Sequence, residues 1–250
     1  MKGGLRVESD NAQGTLYLVA TPLGNLGDAS ARAVEVLTKV HVLAAEDTRS
    51  ARRLLSGLGI GLAGRELLSY GDHNERQMAP RLVAKLVTGL DVAVLSEGGT
   101  PLISDPGYRL VRGAIEADLA VVPVPGPCAA LAALSASGLP VHGFIFRGFL
   151  PKKPGARGRI LDSLREREET LIFYESPQRL VRLLAELVHM FGADRPGCVA
   201  RELTKVHEVF WRGTLGDLVR RAEEEERARR LKGEITVLVA GAGTSEVKTR

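Results

Sequence analysis

Four short segments place glycine, proline or charge directly behind apolar runs. They are Thr21-Pro22-Leu23-Gly24-Asn25, Glu46-Asp47-Thr48-Arg49, Ser96-Glu97-Gly98-Gly99-Thr100-Pro101 and Pro125-Gly126-Pro127-Cys128. In an open parallel sheet, ligands bind just beyond the carboxyl ends of the strands, and glycine lets the backbone come close to a ligand. One such segment reads as an ordinary turn; four of them read as a binding edge. The charged groups in or near these segments that could move or steer a proton are Asp47, Arg49, Glu97, Glu175, Glu202 and Lys205. Glu97 and Lys205 are the first choices. Glu46, Asp47 and Arg49 fit an interdomain ion pair equally well.

The segments match none of the common phosphate cradles. The sequence has no G-x-x-x-x-G-K-[ST], and no G-x-G-x-x-G follows the first apolar run, which argues against nucleotide hydrolysis and dinucleotide binding. It has no G-x-S-x-G elbow, and Ser96 and Ser176 have no evident histidine partner. The five histidines are scattered and read as structural or surface groups. Cys128 and Cys198 belong to no C-x-x-C pair, and nothing has zinc-ligand spacing, so neither a metal nor a disulfide is expected.

Strand-like runs at Thr15–Ala20, His41–Ala45, Asp91–Leu95 and Ala120–Val124 alternate with helical periodicity. The helical stretches centre on Val34–Val40 (N-cap Asp28), Leu54–Leu58, Met78–Val87 (N-cap Asn74) and Leu110–Ile115. This alternation predicts an α/β domain with a parallel sheet covered on both faces. The strand order cannot be read from it. Pro123-Val124-Pro125-Gly126-Pro127 is the densest proline and glycine cluster and the expected boundary. Beyond it, strands are expected at Phe144–Arg147, Thr170–Tyr174, Cys198–Ala200, Glu208–Arg212 and Glu234–Val239, with fewer helices, chiefly Leu180–Phe191 and Thr214–Glu224. The runs around Val199 and Val209 are close enough to be antiparallel neighbours. The expected organisation is an N-terminal α/β domain over 14–126 and a mixed α/β domain over 127–242, with tails at 1–13 and 243–250.

Of the residues, 44% are hydrophobic and 26% charged, enough apolar material for a substantial core. No run approaches the roughly 20 apolar residues of a membrane helix, and the N-terminus lacks the apolar centre of a secretory signal. A cytoplasmic protein is expected. The net charge is +4, and residues 151–167 hold six basic and two acidic residues, an excess equal to that of the whole chain. Within this segment, Leu150–Arg159 (LPKKPGARGR) reads as an exposed loop, with Lys152, Lys153, Arg157 and Arg159 placed to contact phosphates. At 4% aromatic residues, the chain is ill-equipped to stack bases in series.

At these segments the chain resembles a known family. The motifs are Gly14–Asn25 (GTLYLVATPLGN), Ala45–Arg49 (AEDTR), Ser96–Gly107 (SEGGTPLISDPG), Pro123–Ala130 (PVPGPCAA), Phe173–Pro177 (FYESP), Arg201–Lys205 (RELTK) and Gly233–Val237 (GEITV). In this order, from about Gly14 to Gly241, they resemble the ribosomal RNA small-subunit methyltransferase I group, a branch of the tetrapyrrole (precorrin/uroporphyrinogen) methylases. The resemblance implies a two-domain class III methyltransferase that works as a homodimer. S-adenosyl-L-methionine would lie in the cleft between the domains, and the product would be a 2′-O-methylcytidine in 16S ribosomal RNA, free or within the small subunit. For such a cofactor, the residues at and beyond the strand ends give expected contacts at Pro22, Gly24, Gly98, Gly99, Thr100, Ile103, Cys128, Ala129, Ala130, Tyr174, Ala200, Arg201 and Gly233, and expected RNA contacts at Arg49 and the basic loop. Helix-start N–H groups near Cys128–Ala130 suit the cofactor's carboxylate or a ribose hydroxyl. Where the porphyrin enzymes carry Gly-Gly-Asp-Pro, this chain has Gly98-Gly99-Thr100-Pro101, which favours the RNA branch over a tetrapyrrole C-methyltransferase. A non-enzymatic RNA-binding factor would not need the intact glycine segments.

Overall fold

In the first unit, five four-residue strands run parallel: β1 (Leu16–Val19), β2 (Val42–Ala45), β3 (Glu66–Ser69), β4 (Val92–Leu95) and β5 (Val121–Val124), in the order β3-β2-β4-β1-β5. The structure, a computed structural model, describes residues 13–244. The chain divides into two compact units, Met1–Pro127 and Cys128–Arg250. Apart from Gln13, Gly243 and Thr244, the expected tails lie outside the described residues.

Every residue of β2 and β4 is buried, as expected for parallel strands covered on both faces. Helices α1 (Ala31–Lys39) and α2 (Thr48–Gly57) bury Ala33, Leu37, Ala51 and Leu55 against Val19, Leu43 and Leu95. Helices α3 (Glu75–Val87) and α4 (Tyr108–Glu116) bury Ala79, Leu82, Leu86, Leu110 and Ala114 against Leu16, Val42 and Val94 on the other face. The neighbouring strands β1 and β4 therefore send their chains to opposite faces, and the crevice of this sheet lies between their carboxyl ends.

Some local expectations fail for identifiable reasons. β3 is absent from the sequence reading because it is a short edge strand whose end residues are exposed, so the apolar signal is weak. Asp28 ends a 3₁₀ turn (Leu26–Asp28), and Ser30 caps α1 by accepting from the Ala33 N–H at 3.1 Å. Asn74 holds the N-cap position of α3, but its side chain turns back to accept from Gly71 N–H and donate to Ser69 O. Asp47 caps α2, accepting from the N–H groups of Arg49 and Ser50.

The second unit begins with α5 (Ala129–Ser137). Its strands are β6 (Phe144–Phe149), β7 (Thr170–Glu175), β8 (Pro196–Arg201), β9 (Val209–Thr214) and β10 (Ile235–Val239), in the order β6-β7-β10-β8-β9. The β6–β7 pair is parallel and the other pairs are antiparallel, including β8 and β9, which set Val199 opposite Trp211. Helices α6 (Pro154–Leu164), α7 (Pro177–Phe191) and α8 (Leu215–Arg227) bury a leucine-rich layer against Phe173, Val199, Trp211 and Val237. α5 lies against β7, β8 and β10. β10 is central and wholly buried, which its ITVLV sequence suits.

α2 separates a core face from a solvent face, and substitutions should follow that division. Leu55→Ala removes a fully buried side chain and should lower stability by about 2–5 kcal/mol in urea unfolding. Arg52→Ala, on the exposed face, should change it by less than about 0.5 kcal/mol.

Candidate functional site

The carboxyl ends of β1, β4 and β5 are tied together. Thr21 and Gly99 exchange backbone hydrogen bonds of 2.8 and 2.9 Å, forming an antiparallel bridge between the segments that follow β1 and β4. Beneath it, the buried Ser96 hydroxyl donates to Gly99 O at 2.7 Å and lies 3.3 Å from the Thr21 hydroxyl. Thr100 then donates to Pro127 O at 2.9 Å, adding the segment after β5. Thr100 thus serves as a strap between loops.

Glycine is required within this tie. Gly99 has φ +94, and a Cβ there would lie 3.2 Å from Leu23 Cδ2 and 3.5 Å from Pro127 O. A Cβ on Gly98 would come 3.5 Å from Pro22 O. Any side chain here fills the space beside Pro22, whereas bare backbone leaves a cradle with Pro22 half-buried and Gly24, Gly98 and Ile103 at the surface. Farther along the same loop, Leu102 and Ser104 are left-handed at φ 70 and 71, a conformation that costs non-glycine residues on the order of 1 kcal/mol each. The loop is fastened at its far end by Glu75, which accepts from the N–H groups of Gly107 and Arg109 at 3.1 Å.

A carboxylate in this loop went unnoticed in the sequence. Burial, with the charges of Glu46, Glu97 and Asp72 around it, pushes Asp105 up to about 7. Its SDPG setting reads as a turn, and the residues that surround it come from three different strand ends. Glu97, the expected proton acceptor, is exposed.

In the second unit, Ala130 N–H, expected to face a ligand, instead donates to the Tyr174 hydroxyl at 3.2 Å. Phe146 and Phe149 pack edge-on against the Tyr174 ring. Cys128 and Ala129 are half-buried at the start of α5, and Ala200 is fully buried in β8. After β8, Glu202 and Thr204 are left-handed at φ 52 and 65. Glu202 accepts from Lys205 at 2.9 Å and from Glu234 N–H at 2.9 Å, and a Cβ on Gly233 would lie 2.1 Å from its carboxylate. Burial favours the neutral amine of Lys205, but the carboxylates of Glu202 and Glu234 outweigh it and hold the group above its ordinary value. Lys205 is therefore a fixed ammonium and a poor proton acceptor. Arg201 lies over the Trp211 ring, 5.4 Å from its centre, and its Nε is buried without a hydrogen-bond partner.

The basic segment is not wholly a loop. α6 starts at Pro154, and Arg157 is buried, with its guanidinium paired to Glu186 of α7 and donating to Pro151 O and Lys152 O at 3.0 Å. Burial of a charged group demands such pairing. Arg157 fixes the backbone that carries Lys152 and Lys153 and cannot contact a phosphate; Lys152, Lys153 and Arg159 remain exposed.

Residues 15–219 match the model of the tetrapyrrole (corrin/porphyrin) methylases. A protein of Micromonospora olivasterospora named ribosomal RNA small subunit methyltransferase I is 48% identical, over 96% of this chain and 74% of its own. Its namesake from Escherichia coli O157:H7 is 47% identical over 95% and 82%. Among solved structures, the methyltransferase CobJ superposes with a TM-score of 0.70 at 20% identity, covering 94% of this chain and 97% of its own. Uroporphyrin-III-C-methyltransferase from Thermus thermophilus gives 0.63 at 23%, covering 91% and 94%. Both share the fold. No helix among the described residues is long and apolar enough to cross a membrane.

Asp105 sets a pH dependence with a definite sign. Its value in the folded chain, about 7, lies above the 3.8 of an ordinary aspartate, so its contribution to stability is fully present below about 4 and is lost as pH rises through 7. Asp105→Asn should therefore gain urea resistance relative to the parent between pH 4 and pH 8. A difference that does not change with pH would contradict this.

Proposed function

We propose that this chain, a methyltransferase belonging to the ribosomal RNA small subunit methyltransferase I family of the tetrapyrrole methylases, transfers a methyl group from S-adenosylmethionine to a cytidine ribose 2′-hydroxyl in small-subunit ribosomal RNA. The observation that carries the reading is the glycine cradle at the crevice between β1 and β4, formed by the Thr21–Gly99 bridge. When bound, the cofactor supplies an activated methyl on a sulfonium.

The cradle suits an extended, partly charged small molecule. Gly98 and Gly99 leave main chain open to it, and Pro22, Gly24 and Ile103 line its rim. In the second unit the cofactor residues are Cys128, Ala129, Ala130, Tyr174, Ala200, Arg201 and Gly233, with Ala130 contributing its methyl surface because its N–H is engaged. Thr100 acts through the Pro127 strap.

The chain's share of the chemistry is alignment and proton removal. Fixing an acceptor oxygen in line with the methyl removes much of the entropic barrier. A ribose hydroxyl is a weak nucleophile, and a base whose pKa lies near the working pH assists it best. Asp105 meets that condition and takes the role first given to Glu97; burial raises its pKa most, and the charges of Glu46, Glu97 and Asp72 add to it. Lys205 remains a positioning cation. Lys152, Lys153 and Arg159 contact RNA phosphates from the second unit, and the protein acts in the cytoplasm as a homodimer.

The test is incubation with methyl-labelled S-adenosylmethionine and small ribosomal subunits from cells lacking the modification, beside a parallel incubation with a tetrapyrrole acceptor. Label on one cytidine ribose supports the proposal, and label on a tetrapyrrole with none on RNA contradicts it. Asp105→Asn should lower kcat by about 10²–10⁴-fold with cofactor affinity retained. Unchanged kcat would remove Asp105 from the mechanism. Lys152→Glu/Lys153→Glu should raise KM for the subunit and spare cofactor affinity.

A further inference from the structure

Several helices of this chain carry a cation paired with an acid of the same helix. Lys39 pairs with Glu35, Arg112 with Glu116, Arg182 with Glu186, Arg220 with Asp217 and Arg227 with Glu223. α2 differs. Arg49, Arg52 and Arg53 are exposed, form no ion pair among the described residues and share the helix with no acidic residue. Asp47, the nearest acid in sequence, caps the helix through the N–H groups of Arg49 and Ser50, and its single charge, felt by Arg49 and Arg53, cannot balance three guanidinium groups. Ala51 and Leu55 face the core, so the three arginines lie on the opposite stripe at i, i+3 and i+4.

The helix is also well placed. It starts directly beyond β2, which neighbours β4, so its first turn stands at the sheet edge that carries the glycine cradle. That edge holds Glu46, Asp72, Glu97 and Asp105. A polyanion brought to such an edge is repelled unless cations stand beside it. Guanidinium groups suit phosphate through paired N–H donors, and the N-terminal dipole of α2 adds positive potential around Arg49.

We propose that the outer face of α2 is a second RNA-backbone contact surface, on the first unit and separate from the Lys152–Lys153 loop, in which Arg52 and Arg53 join Arg49 in binding phosphates. The inference rests on the reading of the chain as an RNA methyltransferase. It adds two contacts that the family motifs do not single out, and it gives the acidic edge a means of tolerating its substrate.

The test measures binding of the full chain to small-subunit ribosomal RNA over a salt series, beside methyl transfer to the same RNA. Arg52→Gln/Arg53→Gln should weaken binding about tenfold or more at 0.1 M salt. It should also flatten the plot of log affinity against log salt by about 1–2, since each lost phosphate contact removes roughly 0.7–0.9 from the slope. Arg52→Lys/Arg53→Lys should restore most of the slope. Arg220→Gln/Arg227→Gln, which removes the same charge from paired positions, should have little effect. Cofactor affinity and urea midpoint should stay at parental values in all three variants. Parental RNA affinity and slope in the double glutamine variant would overturn the inference, as would an equal loss in the α8 control or no RNA affinity in the parent. Unchanged RNA binding with weakened attachment to assembled subunits would overturn it in favour of an acidic protein surface. A parent that binds RNA through α2 yet transfers no methyl would sink the methylation reading and leave this surface standing.

Discussion

Two backbone hydrogen bonds between Thr21 and Gly99 hold the first unit's binding edge together. They form where β1 and β4 are adjacent while their chains depart to opposite faces, the place at which a doubly wound sheet leaves a crevice. The buried Ser96 hydroxyl saturates Gly99 O from below, and Thr100 extends the tie to Pro127. With their polar groups engaged by one another, three loops act as one rigid rim. Only glycine at position 99 adopts the necessary φ without strain and still leaves space beside Leu23.

Charge is divided across the molecule to match. Burial raises Asp105 toward neutrality, and the carboxylates that the sheet edge gathers from three strand ends add to it. In the first unit exposed cations gather on α2, and in the second unit on the segment before α6. The buried Arg157–Glu186 pair gives that segment its shape, so one charge of the basic run is spent on structure and the others are held outward. Both strained loops, around Leu102–Ser104 and Glu202–Thr204, lie directly beyond strands and are pinned by carboxylates, Glu75 in one and Glu202 itself in the other. Strain held by surrounding bonds is a common mark of a preorganised site.

The sequence made the alternation of elements legible because buried parallel strands such as VAVL and VLAA are continuous apolar runs. It hid β3, whose ELLS carries half that signal, and it misplaced the α1 cap, because Asp28 and Ser30 are equally good cap types two residues apart. The glycine and proline loops could be found because their residue types are tied to backbone geometry. Asp105 could not be found, because its burial, and after that the charges of Glu46, Glu97 and Asp72, come from the strand order and not from its own SDPG segment. Arg157 was misread for the same reason: composition shows a basic stretch, but only the packing of α6 on α7 shows which cation is buried. Charge lists locate surfaces well and individual roles poorly, since burial decides which charges must pair.

The central claim is that the loops tied at Thr21 and Gly99 seat the cofactor. Hydrogen exchange of the intact chain with and without S-adenosylmethionine tests it directly. The account predicts slowed exchange at the amides of Leu23–Asn25 and of residues 98–103 when the cofactor is present. Bound cofactor with unchanged exchange in both segments would contradict it.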